Sequence, residues 1–259
     1  MKTNGFARGL WVSWLGFIAI LVIWQLVAAF ELINPVVFPS PAKVVAAAIN
    51  DVPVGKLMQH IGISLMRVVL GFGIGAGAGI MLGVTCGWYL RLGSILRTPI
   101  DLVRPIPPLA WIPLAIIWLG LGEPSKVLII FLGAFFPVFT NTYKGMVNVD
   151  PTVVRAAQML GLRGRRLLLR VIVPATLPDI ATGTRVGWSY SFGCMVAAEL
   201  IAAKSGLGYL IMRARQDGQI AVIVYGVIVI GLINLVTDYL IHGVLIKRKL
   251  AWQSAAIGQ

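Results

Sequence analysis

The strongest constraint on this chain is a series of apolar stretches near membrane length, roughly 11–30, 60–88, 101–120, 125–145, 178–202 and 219–246. About 20 consecutive apolar residues, each rising about 1.5 Å in a helix, cross the hydrocarbon core of a bilayer. A soluble domain of 259 residues that is 58% hydrophobic and 12% charged would lack the polar surface to face water. The stretches are continuous and do not alternate, which argues against a transmembrane β-barrel. The sequence therefore reads as an all-α polytopic membrane protein with about six transmembrane helices. It forms one membrane domain over residues 1–259, with a core of roughly 11–246. The first stretch is longer than the apolar region of a signal peptide and reads as a retained anchor.

The net charge of +13 is unevenly placed. If the N-terminus lies inside, Lys2, Arg8, Arg91, Arg97, Arg155, Arg163, Arg165, Arg166, Arg170 and Lys247–Lys249 all fall on one side. Lys43, Lys56, Lys126, Lys204, Arg213 and Arg215 fall on the other. This bias follows the positive-inside rule and predicts a multi-pass membrane protein with both termini cytoplasmic. Anionic lipid headgroups, and not nucleic acid, are the partner this charge implies.

A polar island separates the fourth and fifth stretches: DPTVVRAAQMLGLRGRRLLLRVIVPATLP, residues 150–178. Asp150 suits a helix N-cap, Pro151 its first turn, and Gly161 an end of positive φ. A second short helix is predicted over Arg163–Val173, with Pro174 stopping it. The island resembles the cytoplasmic loop of ABC importer permeases, written E-A-A, three residues, G, nine residues, I-x-L-P. Here Ala156-Ala157, three residues, Gly161, nine residues and Val171–Pro174 follow that spacing, with Arg155 in place of the acid. The resemblance implies a coupling-helix loop that grips an ATPase subunit.

Other strings carry the same resemblance. Ser40 and Pro41 in FPSPAKVV read as the start of a short amphipathic helix and resemble the L-P-S-P-x-x-V element of the nitrate, sulfonate and taurine branch. Pro105, Pro107, Pro108 and Pro113 demand a broken or strongly bent third span. Arg104–Trp111, Trp118–Glu123 and Ala197–Ile211 are similar to strings of that branch, closest to taurine and aliphatic sulfonate permeases.

The second stretch places Gly71, Gly75, Gly79, Gly83 and Gly87 at every fourth residue, with Gly73 and Gly77 between. Small residues on one face let helix backbones approach closely in a bilayer. Two readings share that geometry: a sliding or dimerising interface, or static packing inside one subunit.

No catalytic constellation is present. The chain lacks a G-x-x-x-x-G-K-[ST] loop and H-E-x-x-H. His60 and His242 read as solvated or packed, Cys86 and Cys194 as packing residues without a metal or disulfide, and Ser64, Ser189 and Ser191 as packing residues. Charges inside spans are expensive. Arg67 and Glu199 share a similar predicted depth and can pair, or Arg67 can face the pathway and attract an anion. Arg104 with Asp101, and Arg185 with Asp179, can pair locally or snorkel. Trp11, Trp14, Trp88, Tyr89, Trp111, Trp118 and Trp252 read as belt anchors, with Trp111 and Trp188 also able to line a cavity.

The resemblance implies a type I ABC importer permease that binds no cofactor itself. ATP and Mg would sit on cytoplasmic ATPase subunits. A periplasmic or lipid-anchored solute-binding protein and a second copy of the chain would complete the machine. The implied solute is a small anion or zwitterion, taurine or another sulfonate first, nitrate or bicarbonate next. The competing class is a secondary transporter or channel that needs no ATPase, which the absence of a readable repeat disfavours.

Overall fold

The computed structural model describes residues 4–240, and among them every regular element is helical. Four helices are long and apolar enough to cross a membrane: α3 (Val54–Trp88), α6 (Glu123–Val147), the helical run Gly164–Ala202, and α11 (Ile220–Asp238). A fifth crossing is possible as a bent pair, Arg91–Val103 with Pro108–Leu119, which turns by 84°. Helix α1 (Asn4–Ala29) covers the first predicted span. The predictions for Lys2, His242, Lys247–Lys249 and Trp252 lie outside the described residues.

The chain divides into two compact units. One comprises the residues up to Gln59 together with Leu210–Val229. It holds α1 and α2 (Pro41–Asn50), whose N-cap Ser40 accepts the Lys43 N–H at 3.3 Å. Pro41 occupies the first turn, where its missing N–H costs nothing. Trp24 Nε1 donates to the Pro39 carbonyl at 3.1 Å and ties α1 to the entry of α2.

The other unit comprises His60–Tyr209 and the residues from Ile230. Helix α6 is its axis, and glycine brings a helix against each of two sides. On one side lie the glycines of α3. A β-carbon at Gly71 would sit 2.6 Å from Ile130, one at Gly75 2.6 Å from the Phe131 carbonyl, and one at Gly83 2.7 Å from Thr142. Gly79 would press on Phe135 and Phe139, and Gly87 on Met146. That face is thus taken up inside the chain by α6, which is the packing reading; Gly73 and Gly77 face open space. On the other side lies α9 (Val173–Ala202), where Gly183 and Gly187 meet the Pro137 and Ala134 carbonyls. Apolar solvent drives none of this in lipid, so close van der Waals contact between backbones holds the three helices together.

Three boundaries differ from expectation. The third span starts at Leu90 with α4 (Leu90–Val103), and after a break at Arg104–Pro107 continues as a 3-10 turn Pro108–Trp111 and α5 (Ile112–Leu119). Proline 113 falls in the first turn of α5 and so begins that helix. The predicted helix Arg163–Val173 does not stop at Pro174. Short α8 (Gly164–Leu167) passes through a π turn, Leu168–Ile172, directly into α9. The wider turn relieves the clash between a proline ring and the carbonyl four residues earlier, so Pro174 is carried inside a continuous helix. The fifth span accordingly begins before 178, and Pro178 lies within it.

Candidate functional site

A buried charge cluster, a polar hinge and a cleft bring together most of the residues singled out above. The cluster centres on Arg67, 1% exposed in α3. Its Nε and one terminal nitrogen grip the two oxygens of Glu123 at 2.6 Å each. The other terminal nitrogen donates to Glu199 at 2.7 Å and to the Ser205 carbonyl at 2.7 Å. With a 3.3 Å bond to Ser205 Oγ, every guanidinium N–H is used. The geometry is that of a structural pair, and it leaves Arg67 no donor for a passing anion.

Glu199 is as buried as Arg67, at 1% exposure. It also accepts from Ser64 Oγ at 2.8 Å and from the Gly208 N–H at 2.8 Å. Lys126 Nζ reaches Glu123 at 3.0 Å, so two cations face two carboxylates and each buried charge has a partner, with the half-exposed Glu123 at the edge of the cluster. The loop after α9 is clamped by the same side chains. Gly206 N–H donates to His60 Nδ1 at 3.0 Å and Leu207 N–H to Ser64 Oγ at 2.9 Å. Gly206 stands at φ +115°, which only glycine adopts easily.

The polar island forms a hinge built from local capping. Asp150 accepts the Thr152 N–H at 2.7 Å and starts α7 (Pro151–Met159). That bond to the ionised form holds the Asp150 carboxyl below its ordinary range. The end of α7 is a Schellman motif: Leu162 N–H donates to the Ala157 carbonyl at 3.1 Å, Gly161 N–H to Gln158 at 3.0 Å, with Gly161 at φ +83°. Leu162 packs beside Ala157 in a small core with Met146, Leu167 and Ile172. Ala157, 7% exposed, therefore faces the chain's own core and not outward as expected for a partner contact. Arg155 and Ala156 are exposed, as are Arg163, Arg165, Arg166 and Arg170. So are Met159 at 91% and Leu160 at 84%. Pro174, half-buried, lies two residues beyond the π turn.

The break in the third span opens a cleft. Two adjoining cavities of about 280 and 590 Å³ share Arg104, Pro108 and Tyr190, with Thr140 and Asn141 on the floor of the first. Arg104 ends α4 and makes only a 3.4 Å bond to Thr140 Oγ1 and a 4.0 Å approach to Asp101. Asp101 is engaged by Arg97 at 2.9 Å. Trp111 is not among the residues lining these two cavities. It packs beside Trp118, centroids 6.4 Å apart, with its buried Nε1 unbonded. Trp188 is buried, donates to Thr237 at 3.2 Å and packs on Phe72 and Phe192. Arg185 pairs with Asp238 at 3.1 Å and not with Asp179, which lies against Gly145.

The sequence reading missed Glu123, Ser64, Ser205 and His60 as members of the cluster. Glu123 carried a signal, being the acid of the W-x-G-x-G-E string; Ser64 carried one too, three residues before Arg67 on the same helix. Met159 and Leu160 were legible as large apolar residues in an otherwise polar island. Among the described residues no three His, Cys, Asp or Glu side chains gather in a way that could hold a metal.

A polytopic helical bundle with a capped polar hinge and a cleft at a broken helix suits a membrane transport subunit. The chain belongs to the family of binding-protein-dependent transport system inner membrane components, matched over residues 75–248. It is 43% identical over 223 residues to a protein of Methanocaldococcus jannaschii with the provisional name of an ABC transporter permease, covering 84% of this chain and 83% of that one. It is 36% identical over 258 residues to the provisionally named aliphatic sulfonates transport permease SsuC of Bacillus subtilis, covering 99% and 91%. It is 38% identical over 225 residues to the taurine transport system permease protein TauC of Escherichia coli, covering 85% and 82%. The chain is thus a permease of this inner-membrane family.

Proposed function

We propose that this permease moves a small sulfonate such as taurine inward by alternating access, driven by ATP hydrolysis on separate ATPase subunits. Nitrate and bicarbonate are the next candidates. The observation that carries the coupling is α7 itself. A short helix is fixed at its start by Asp150 and at its end by Gly161, and it shows Met159 and Leu160 to the outside. Two large apolar side chains held this way suit a groove on another protein. The helical run from Gly164 into α9 then offers a rigid path from that contact into the bundle. The names of the sulfonate and taurine relatives support the solute class.

In this reading the chain performs no chemistry. ATP and Mg bind the partner ATPases, a solute-binding protein delivers the solute, and a second copy of the chain completes the pathway. Both termini and the island face the cytoplasm, as the distribution of arginine and lysine supports. Reconstitution with the ATPase and binding protein tests it. Met159→Ser with Leu160→Ser should release the ATPase or break the link between hydrolysis and taurine uptake, while the permease still inserts. Uptake that persists without any ATPase would assign the chain to secondary transport instead.

A further inference from the structure

Arg67 and Arg104 both belong to the larger unit, and their surroundings are opposite. Arg67 is sealed and its N–H groups are consumed by two carboxylates and Ser205. Arg104 lies half-exposed at the break of the third span, its side chain 47% accessible. One long bond to Thr140 and a loose approach to Asp101 occupy a single terminal nitrogen. Nε and the other terminal nitrogen have no bond to protein among the described residues. Arg104 lines both cavities of the cleft.

The cleft is otherwise built for a weakly held guest. Its walls are the rings of Pro107 and Pro108 and the face of Tyr190, with Asn141 as a further polar side chain. Asn141 Nδ2 spends one of its two N–H groups on the Pro137 carbonyl at 2.8 Å, which fixes the amide's orientation. Its free Oδ1 is an acceptor and suits an ammonium. A planar fork of N–H donors matches two oxygens of a sulfonate or carboxylate. In a low-dielectric wall such a contact is strong, and the partial exposure of Arg104 tempers it. A transport site must bind well enough to admit its solute and loosely enough to release it.

We infer that Arg104 is the anion-recognising residue of this permease, receiving the sulfonate oxygens of the solute in the cleft between the broken span, α6 and α9. This rests on the transport reading above and adds to it a site within the chain, separate from any selectivity of the binding protein. The amino group of a zwitterion such as taurine would point toward Asn141 and the ring of Tyr190.

Proteoliposomes holding permease, ATPase and binding protein give the test, with radiolabelled taurine as the probe. Arg104→Gln should lower taurine moved per ATP hydrolysed at least tenfold, with binding-protein-stimulated hydrolysis kept within about twofold. Arg104→Lys, which retains charge without the fork, should fall between. Wild-type transport with an unchanged ratio in Arg104→Gln overturns this inference and leaves the transport function standing. A wild-type complex that moves neither taurine nor methanesulfonate nor nitrate overturns the transport reading and this one with it. If Arg104→Gln fails to assemble, Arg104→Lys decides: a threefold or larger drop supports the site, and no change refutes it. The assay is repeated in vesicles of phosphatidylcholine alone. An Arg104→Gln defect that vanishes there assigns the residue to an anionic lipid headgroup and overturns the proposal.

Discussion

Gly206 rests directly on the carboxylate of Glu199, so closely that a β-carbon at 206 would overlap both of its oxygens. The loop can reach this position because Gly206 stands at φ +115°. Gly206→Ala combines a collision with a backbone angle that costs about 1–3 kcal/mol. It should lower the unfolding midpoint of the purified protein in denaturant titrations. Gly218→Ala is the control, since its φ of +71° is strained but nothing lies near its β-carbon. An equal loss in both would mean that the Glu199 contact adds nothing.

Removing Arg67 alone should be worse than removing it together with Glu199. Arg67→Met leaves Glu199 buried without its counter-ion, a loss of about 3–5 kcal/mol. Arg67→Met combined with Glu199→Met, which keeps Glu123 paired with Lys126, should regain much of it. The comparison is read from denaturant midpoints of single and combined variants. A double variant as unstable as Arg67→Met would show that the ion pair itself, and not the unpaired charge, sets the cost.

The glycine ladder gives a contrast within one helix. Gly75→Ala forces a methyl against the Phe131 carbonyl and should cost about 1–3 kcal/mol by overpacking. Gly73→Ala, two residues away, meets nothing within the chain and should be neutral or slightly stabilising. Thermal midpoints of the two variants decide. If Gly73→Ala is the damaging one, the outer face of α3 has a partner in the assembly.

At the hinge, side-chain shape should matter less than backbone angle. Gly161 has open space around it and φ +83°, so the cost of a β-branched residue is conformational, about 1–2 kcal/mol. Gly161→Asn should keep ATP-coupled uptake and Gly161→Val should lose it with normal membrane insertion. Equal coupling in both variants would remove the Schellman end from the mechanism.

The Asp150 cap carries a pH signature. Its carboxyl is lowered in the folded chain by the Thr152 N–H, so the cap's contribution is fully present above the unfolded aspartate value, about 3.9. It is lost as pH falls through the lower folded value. Amide exchange at Thr152–Val154 should be slow near neutrality and lose protection only in strong acid. In Asp150→Ala the same amides should exchange fast at neutral pH. Unchanged exchange in that variant would show that Pro151 alone starts α7.

What the sequence revealed and what it concealed divide along the range of the interactions. Asp150, Pro151 and Gly161 act within a few residues of themselves, so the start and end of α7 were readable. The pairing of Arg67 with Glu199 was accessible through shared depth, but Glu123 was not, because it reaches Arg67 across 56 positions and a second helix. Which face of α7 turns inward depends on Met146 and Ile172, so the burial of Ala157 had no local signature. Pro174 misled for a related reason: a proline stops an ordinary helix, and only the π turn before it lets the helix run on. The prolines at 105–108 announced a break, whereas its 84° angle and the cleft beside it come from packing on α6 and α9.

The π turn at Leu168–Ile172 holds more chain than an α-helical turn would use. Each residue of an α-helix advances the rotation by about 100°. Wound as regular α-helix, the same five residues would turn the chain about one residue further and, with α9 seated on α6, would swing α8 and what precedes it by roughly a quarter revolution. That swing would carry Leu167 off the small core it shares with Met146 and Ala157. The π turn is therefore a phase offset that lets the buried faces on either side of it meet one core.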